Sequence, residues 1–145
     1  MTERTGHCLC GNVSFKLTAD PLATRICWCR DCQHLSANGT VNLLVAAEAL
    51  TVSGTLAEHR KTADSGNLVT RYFCTNCGTH LFAMSSARPQ FRVLRAGNLD
   101  DTSSIRPAVN IWISSAPEWA CLDPALERVD HQPSPPKPAP VAAPS

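Results

Sequence analysis

The 145-residue chain contains no run approaching the roughly 20 apolar residues needed to cross a bilayer, so no membrane helix is expected. Its first residues, Met1 to Cys8, carry a charge of each sign and polar groups, with no apolar stretch to act as a secretion signal. A reducing, cytoplasmic setting is the expectation. Nor is there an excess of charge. The 13 Lys and Arg stand against 12 Asp and Glu, and a formal net charge of +1 supplies no general field for a phosphate backbone. Nucleic acid and membrane are therefore not expected as partners. No repeat of solenoid period is visible. Helical patterning is nearly absent, since the one stretch with helical character, Val45 to Leu50, is too short to stand alone and reads as a connector.

What remains is alternation at the period of a half-buried strand. Val13, Phe15 and Leu17 alternate with Asn12, Ser14 and Lys16; Phe91 and Val93 flank Arg92; Val109, Ile111 and Ile113 repeat the pattern. Thr40 to Val45, Leu50 to Val52, Val69 to Phe73 and Leu81 to Met84 also suit strands, with turn signals at Gly39, Ser53-Gly54, Gly66-Asn67 and Gly97-Asn98. The fold class is mainly β, in a single domain over residues 4–131. From Gln132 to Ser145 the chain is rich in proline and has little to bury, so 132–145 reads as a disordered tail without assigned function.

The chemistry lies in the cysteines. They group as Cys8-x-Cys10, Cys27-x-Cys29-x-x-Cys32 and Cys74-x-x-Cys77, with Cys121 left over as a buried free thiol. A disulfide framework, metal ligation and redox thiols compete as explanations, and the lack of a secretion signal counts against the first. Zinc suits soft thiolate ligands held tetrahedrally, with iron in a four-thiolate site as the alternative metal. Gly78 after Cys77 suits a ligand-bearing tight turn, and Cys8 and Cys10 are expected to leave one face of an extended segment. Joining Cys29 and Cys32 to Cys74 and Cys77 would span the interval 33–73, beyond ordinary zinc-ribbon spacing, and would strand three cysteines. Joining Cys8 and Cys10 to Cys74 and Cys77 closes a tetrahedron and leaves Cys27, Cys29 and Cys32 as an open trio, to be completed by substrate or by a group such as Asp31, His7, His34, His59 or His80.

At this point the residues resemble a known family. The blocks are His7-Cys-Leu-Cys-Gly-Asn-Val-Ser-Phe15, Cys27-Trp-Cys-Arg-Asp-Cys32, Arg71-Tyr-Phe-Cys-Thr-Asn-Cys-Gly-Thr-His-Leu-Phe82, Ala96-Gly-Asn-Leu-Asp100, and Asn110-Ile-Trp-Ile with Ala116-Pro-Glu-Trp119. They are similar to the glutathione-dependent formaldehyde-activating enzymes, also called the Gfa or CENP-V-like domain. The resemblance implies a small zinc-stabilised β fold of the Mss4-like type, a structural zinc on Cys8, Cys10, Cys74 and Cys77, and a catalytic zinc on Cys27, Cys29 and Cys32. It thus implies two zinc ions per chain and a carbon-sulfur lyase that condenses glutathione with formaldehyde to S-(hydroxymethyl)glutathione. Its partners would be a glutathione-like thiol and an aldehyde. The chain departs from the family pattern at Trp28, where His is usual, at Gln33, where Arg is common, and at Asn110, where His is frequent.

Further residues are candidates for the chemistry. His34, two positions after Cys32, is the candidate general base, its ordinary pKa suiting proton transfer near neutrality. Trp28 and Asn110 are the candidate substrate contacts, with Trp112 expected on the strand face of Asn110. His7 and His80 read as supporting or surface groups, and Trp119 as a cap on the core. Arg71 and Arg95 read as a solvated strand face, the alternative being contacts to glutathione carboxylates. The rival to the enzymatic reading is a non-catalytic zinc-binding interaction module.

Overall fold

Period-two alternation builds most of the molecule. In the computed structural model, which describes residues 3–134, the strands in chain order are β1 (Arg4–His7), β2 (Ser14–Leu17), β3 (Ala23–Cys27), β4 (Thr40–Ala46), β5 (Leu50–Ser53), β6 (Leu56–Thr62), β7 (Leu68–Cys74), β8 (His80–Ser85), β9 (Phe91–Arg95), β10 (Val109–Ile111) and β11 (Glu127–Val129). They form a three-stranded sheet, β1-β2-β5, and an eight-stranded sheet, β11-β10-β3-β4-β9-β8-β7-β6. Pairing is antiparallel except where β10 runs parallel to both β3 and β11. The mainly β fold expected from the sequence is therefore present.

The large sheet buries residues on both faces, and this decides where the chemistry sits. On one face Leu43, Val45, Phe82 and Leu94 join Val13, Phe15 and Leu17 in a core shared with the small sheet. The alternate positions, Asn42, Leu44, Val93 and Arg95, point the other way and line a cavity. Val13, Phe15 and Leu17 are almost inaccessible while Ser14 and Lys16 are exposed, as the alternation requires. The sheets approach closely at Gly6, which pairs with Phe15 and bridges to Leu99. A Cβ there would lie 2.2 Å from Phe15 Cζ and 2.3 Å from the Asn98 carbonyl oxygen, so only glycine fits.

Several local features depart from the sequence reading. Val45 to Leu50 holds only a single 3-10 turn, Ala47–Ala49, whereas the α-helix among the described residues, α1, spans Arg30–Ser36. A seven-residue helix is too short to show an apolar period. It is set by its ends: Cys29 caps it by accepting from the Cys32 N–H, and Ala37 closes it in the left-handed region. Strand β6 shows no apolar alternation because its edge position leaves Glu58, His59, Arg60 and Lys61 exposed, the usual protection of an edge. The third alternating run stops early, since β10 ends at Ile111 and Trp112 turns to φ 57°. Cys121 is exposed rather than buried, and Trp119 is 64% exposed, meeting Trp28 edge-on rather than capping the core. Of the tail read from 132 to 145, residues 135–145 lie outside the described ones, but Gln132 accepts a hydrogen bond from Trp112 Nε1 at 3.0 Å.

Candidate metal centres and the cavity beside them

Two hairpin turns carry the four-cysteine group. The turn between β1 and β2 holds Cys8 and Cys10, closed by a Gly11 N–H to Cys8 carbonyl bond of 3.0 Å, with Gly11 at φ 81°. It is a tight turn and not the extended segment expected, because two sulfurs two residues apart converge on one point only if the chain folds back. The turn between β7 and β8 repeats the device, with Gly78 donating to the Cys74 carbonyl at 3.0 Å and lying at φ 76°. In both, glycine occupies the left-handed position without steric cost. The Leu9 N–H donates to Thr79 Oγ1 at 3.1 Å and ties one turn to the other.

The sulfur geometry tests the metal directly. Four thiolates around zinc at about 2.3 Å have a sulfur-sulfur edge of roughly 3.8 Å. Cys8 and Cys10 Sγ are 3.6 Å apart, Cys10 and Cys74 Sγ 3.7 Å, and all four sulfurs lie within 4.8 Å of one another. Backbone N–H groups orient the sulfurs, Val13 donating to Cys8 Sγ at 3.3 Å and Asn76 to Cys74 Sγ at 3.4 Å. The Thr79 hydroxyl, 3.1 Å from Cys77 Sγ, is the main cause that holds that thiol down, to about 5. The donor set fits a closed zinc site, and Cys8 and Cys74 bury it in the main core.

The trio is built differently. Cys27 ends β3, Cys29 caps α1, and Cys32 lies in its first turn, its N–H donating to Cys29 Sγ at 3.4 Å. The three sulfurs lie within 4.8 Å of one another and pack with Ile111 and Trp112 in a second cluster. Hydrogen bonding from Cys27 and then Cys29, with help from the Arg95 charge, lowers Cys32 against the cost of burial, while the same bonds and burial push Cys27 up. Three converging soft donors fit zinc with one position left over.

Gln33 holds this loop in place. Its Nε2 donates to the Trp28 carbonyl at 2.7 Å and to the Ser115 carbonyl at 3.0 Å, and its Oε1 accepts from Arg30 at 2.7 Å. Asp31, between two ligands, is buried and pairs with Lys61 and, at 3.4 Å, with Arg71 Nη2. Helix α1 is thereby tied to β6 and β7.

Against the trio lies a cavity of about 150 Å³ on the face of the large sheet away from the main core. Its wall includes Cys27, Cys29 and Cys32, the strand residues Asn42, Arg71 and Arg95, the β6–β7 loop, and Trp112. Arg71 and Arg95 are therefore buried, 7% and 9% exposed, and not on a solvated face. Their strand face is covered by elements distant in sequence, a fact no local pattern signals. Arg95 Nη1 donates to Asn42 Oδ1 at 2.6 Å, and Asn42 Nδ2 approaches Cys32 Sγ at 4.0 Å. The Nε atoms of both arginines are buried without a partner among the described residues.

The other candidates lie elsewhere. His34 is exposed on α1 and is not part of the cavity wall, and no histidine among the described residues is. His7 is exposed, 3.3 Å from Asp100, and His80 is half-buried against Phe73. Burial, then Arg95 and Arg71, lowers the pKa of His80. Trp28 and Asn110 do not line the cavity. They face each other in the interior, the indole N–H donating to Asn110 Oδ1 at 3.0 Å. The left-handed turn at Trp112 explains this: it breaks the alternation, so Ile111 and Trp112 both reach the trio while Asn110 points away. Trp28→Phe is expected to destabilise the fold by about 1–3 kcal/mol, because the buried Asn110 side chain then has no partner. Urea denaturation would measure it, and an unchanged midpoint would contradict the pairing.

The family model described as "Glutathione-dependent formaldehyde-activating enzyme" matches residues 3–115. The chain belongs to this family. Among curated proteins no sequence matches it. A crystal structure of a Rhodobacter sphaeroides protein is similar in fold, with a TM-score of 0.54 and 18% identity, covering 71% of this chain and 91% of that one. This member of the glutathione-dependent formaldehyde-activating family thus has the small β fold of the Mss4-like type and two cysteine groups that can bind metal. Trp28 and Asn110 are hydrogen-bond partners, and Gln33 anchors the Trp28 carbonyl. None of the three lines the cavity.

Proposed function

We propose that the protein is a zinc-dependent carbon-sulfur lyase, or thiol-aldehyde adduct synthase, which joins a glutathione-like thiol to formaldehyde or a related small aldehyde. The observation that carries this is the difference between the two cysteine groups. One closes a tetrahedron within the core, whereas the other brings three sulfurs to a cavity wall with no fourth His, Cys, Asp or Glu in the group among the described residues.

Cys27, Cys29 and Cys32 would hold the zinc ion, and the chemistry it would supply there is to favour the thiolate form of a substrate thiol. The residues around it do the rest. Gln33 and the Asp31 ion pairs fix the loop that carries the ligands, limiting how far the trio can spread. Ile111, Trp112 and Leu44 exclude water from one side of the cavity. In the reaction the thiol sulfur bonds to the carbonyl carbon, the carbonyl π bond breaks, and the proton given up by the thiol ends on the former carbonyl oxygen. Among the described residues the wall holds no histidine, and Asp64 is its carboxylate. Seven cysteines kept as thiolate ligands fit a reducing, cytoplasmic location.

The test is metal quantification followed by adduct formation, monitored by NMR across a panel of thiols and aldehydes. The expected result is two zinc ions per chain and adduct formation faster than the uncatalysed rate for at least one pair. Equal rates with and without protein across the panel would overturn the enzymatic reading and leave a zinc-binding interaction module.

A further inference from the structure

Trp112 holds a conformation that its own segment does not explain. It lies at φ 57° and ψ 40°, in the left-handed region that a bulky side chain rarely enters, and such a backbone persists only where the surroundings fix it. The surroundings here include one segment further along the chain, residues 127–132. Its strand β11 pairs in parallel with β10. Beyond β11 the Asp130 carbonyl accepts from the Ser114 N–H at 3.3 Å and from the Ser114 hydroxyl at 2.7 Å, and the His131 carbonyl accepts from the Trp112 N–H at 3.4 Å. The His131 ring meets the indole edge-on, with centroids 5.3 Å apart, and Gln132 Oε1 accepts from the indole Nε1–H at 3.0 Å.

The same segment reaches the trio. Val129 packs against the cluster of Cys27, Cys29, Cys32, Ile111 and Trp112, and both Trp112 and Gln132 line the cavity. Trp112 is 9% exposed, whereas His131 and Gln132, which lie against it, are open to solvent. Residues 127–132 lie beyond 3–115, those that the family model matches. An indole whose N–H is already engaged, and whose ring is held between this segment and the trio, is an apolar wall and not a polar contact.

We propose that residues 127–132 form a strap that fixes Trp112 as the size-determining wall of the cavity, so that the site takes thiols unbranched at the carbon bearing the sulfur and rejects those branched there. Trp112 packs with the trio cysteines themselves, so the part of a thiol nearest its sulfur is the part that meets the indole. Trp112 is the specificity-determining residue, and His131 and Gln132 are positioning residues that act through it. This rests on the reading of the trio as the thiol site and adds which thiols fit it. The cavity's volume of about 150 Å³ is below the roughly 300 Å³ at which pockets for drug-sized ligands begin, which leaves little room to absorb a branch.

The test compares ethanethiol with 2-methyl-2-propanethiol binding to the full-length zinc-loaded protein, by calorimetry. The wild type should prefer ethanethiol by at least about tenfold, since a pocket that fits closely discriminates by ~10–200-fold for one methylene. Following the same two thiols across variants cancels their intrinsic difference in affinity for zinc. Trp112→Leu should lower the preference by about tenfold. Gln132→Ala, at an exposed position, should lower it in the same direction, and Gln132→Glu, which keeps an acceptor oxygen for the indole N–H, should restore it. In Gln132→Ala the Trp112 indole N–H should also exchange faster with water, as read by NMR. The Gln132 pair decides the matter even where Trp112→Leu fails to fold. Equal affinity for the two thiols in the wild type, an unchanged preference in Gln132→Ala, or a Gln132→Glu variant no more selective than Gln132→Ala overturns the strap-held wall. Loss of the preference in the variants without turnover of any thiol would support the wall and sink the lyase; turnover with a preference that no variant changes would do the reverse.

Discussion

Cys74→Ser is expected to leave the chain largely unfolded at 25 °C. Cys8 and Cys74 are 0% and 1% exposed and belong to the same buried cluster as Val13, Phe15, Leu43 and Leu94, so a metal held there would be part of the main core. A structural zinc contributes an apparent 10–16 kcal/mol or so to folding, whereas a domain's whole net stability is about 5–15 kcal/mol. Losing one ligand of four removes enough of the first quantity to exhaust the second. The two hairpin turns would also lose their common anchor, leaving hydrogen bonds such as that from Leu9 to Thr79 to hold them together. Circular dichroism with zinc quantification checks this, and a strong chelator should reproduce it in the wild type. A cooperative melt at the wild-type temperature in the variant would show that the metal on Cys8, Cys10, Cys74 and Cys77 is dispensable.

Cys32→Ser is expected to do the opposite, sparing the fold and removing activity. The trio lies in a separate cluster with Ile111 and Trp112, and the loop that carries it is held independently by Gln33 and Asp31. Replacing sulfur by oxygen keeps the shape of the side chain but removes a soft ligand. Because loss of a group that merely supports a metal ligand already costs about 10–100-fold, loss of the ligand itself should cost at least a hundredfold or so in kcat/KM. Zinc content should fall from two per chain to one while the melting temperature stays near that of the wild type. Unfolding by Cys32→Ser together with tolerance of Cys74→Ser would exchange the roles of the two groups.

The two cysteine groups were legible because ligand chemistry is written in short spacings. Cys8-x-Cys10 and Cys74-x-x-Cys77 each lie in one hairpin turn, and the trio lies in one strand-to-helix junction, so local sequence carries each piece. The pairing of the first two followed from counting ligands. Trp28 and Asn110 were named as substrate contacts for reasons of position, and the strand face assigned to Asn110 and Trp112 assumed that alternation continues through Ile113. A left-handed residue at Trp112 ends it, and no residue type there announces the break, since the conformation is unusual for a bulky side chain. Arg71 and Arg95 were misplaced for a related reason. Alternation gives the face of a strand, but whether that face meets water depends on what covers it.

Sequence alone therefore determined the fold class, the strands whose polar faces remain wet, and the division of seven cysteines into four and three. These depend on period-two patterning and on ligand spacing, both of which act over a few residues. Only tertiary structure decided that the second face of the large sheet is covered, that Trp28 pairs with Asn110 across 82 positions, and that four arginines converge beside the trio. Those outcomes depend on contacts between segments distant in the chain. A formal charge of +1 averages over the whole molecule, whereas burial concentrates the positive side chains in one cavity.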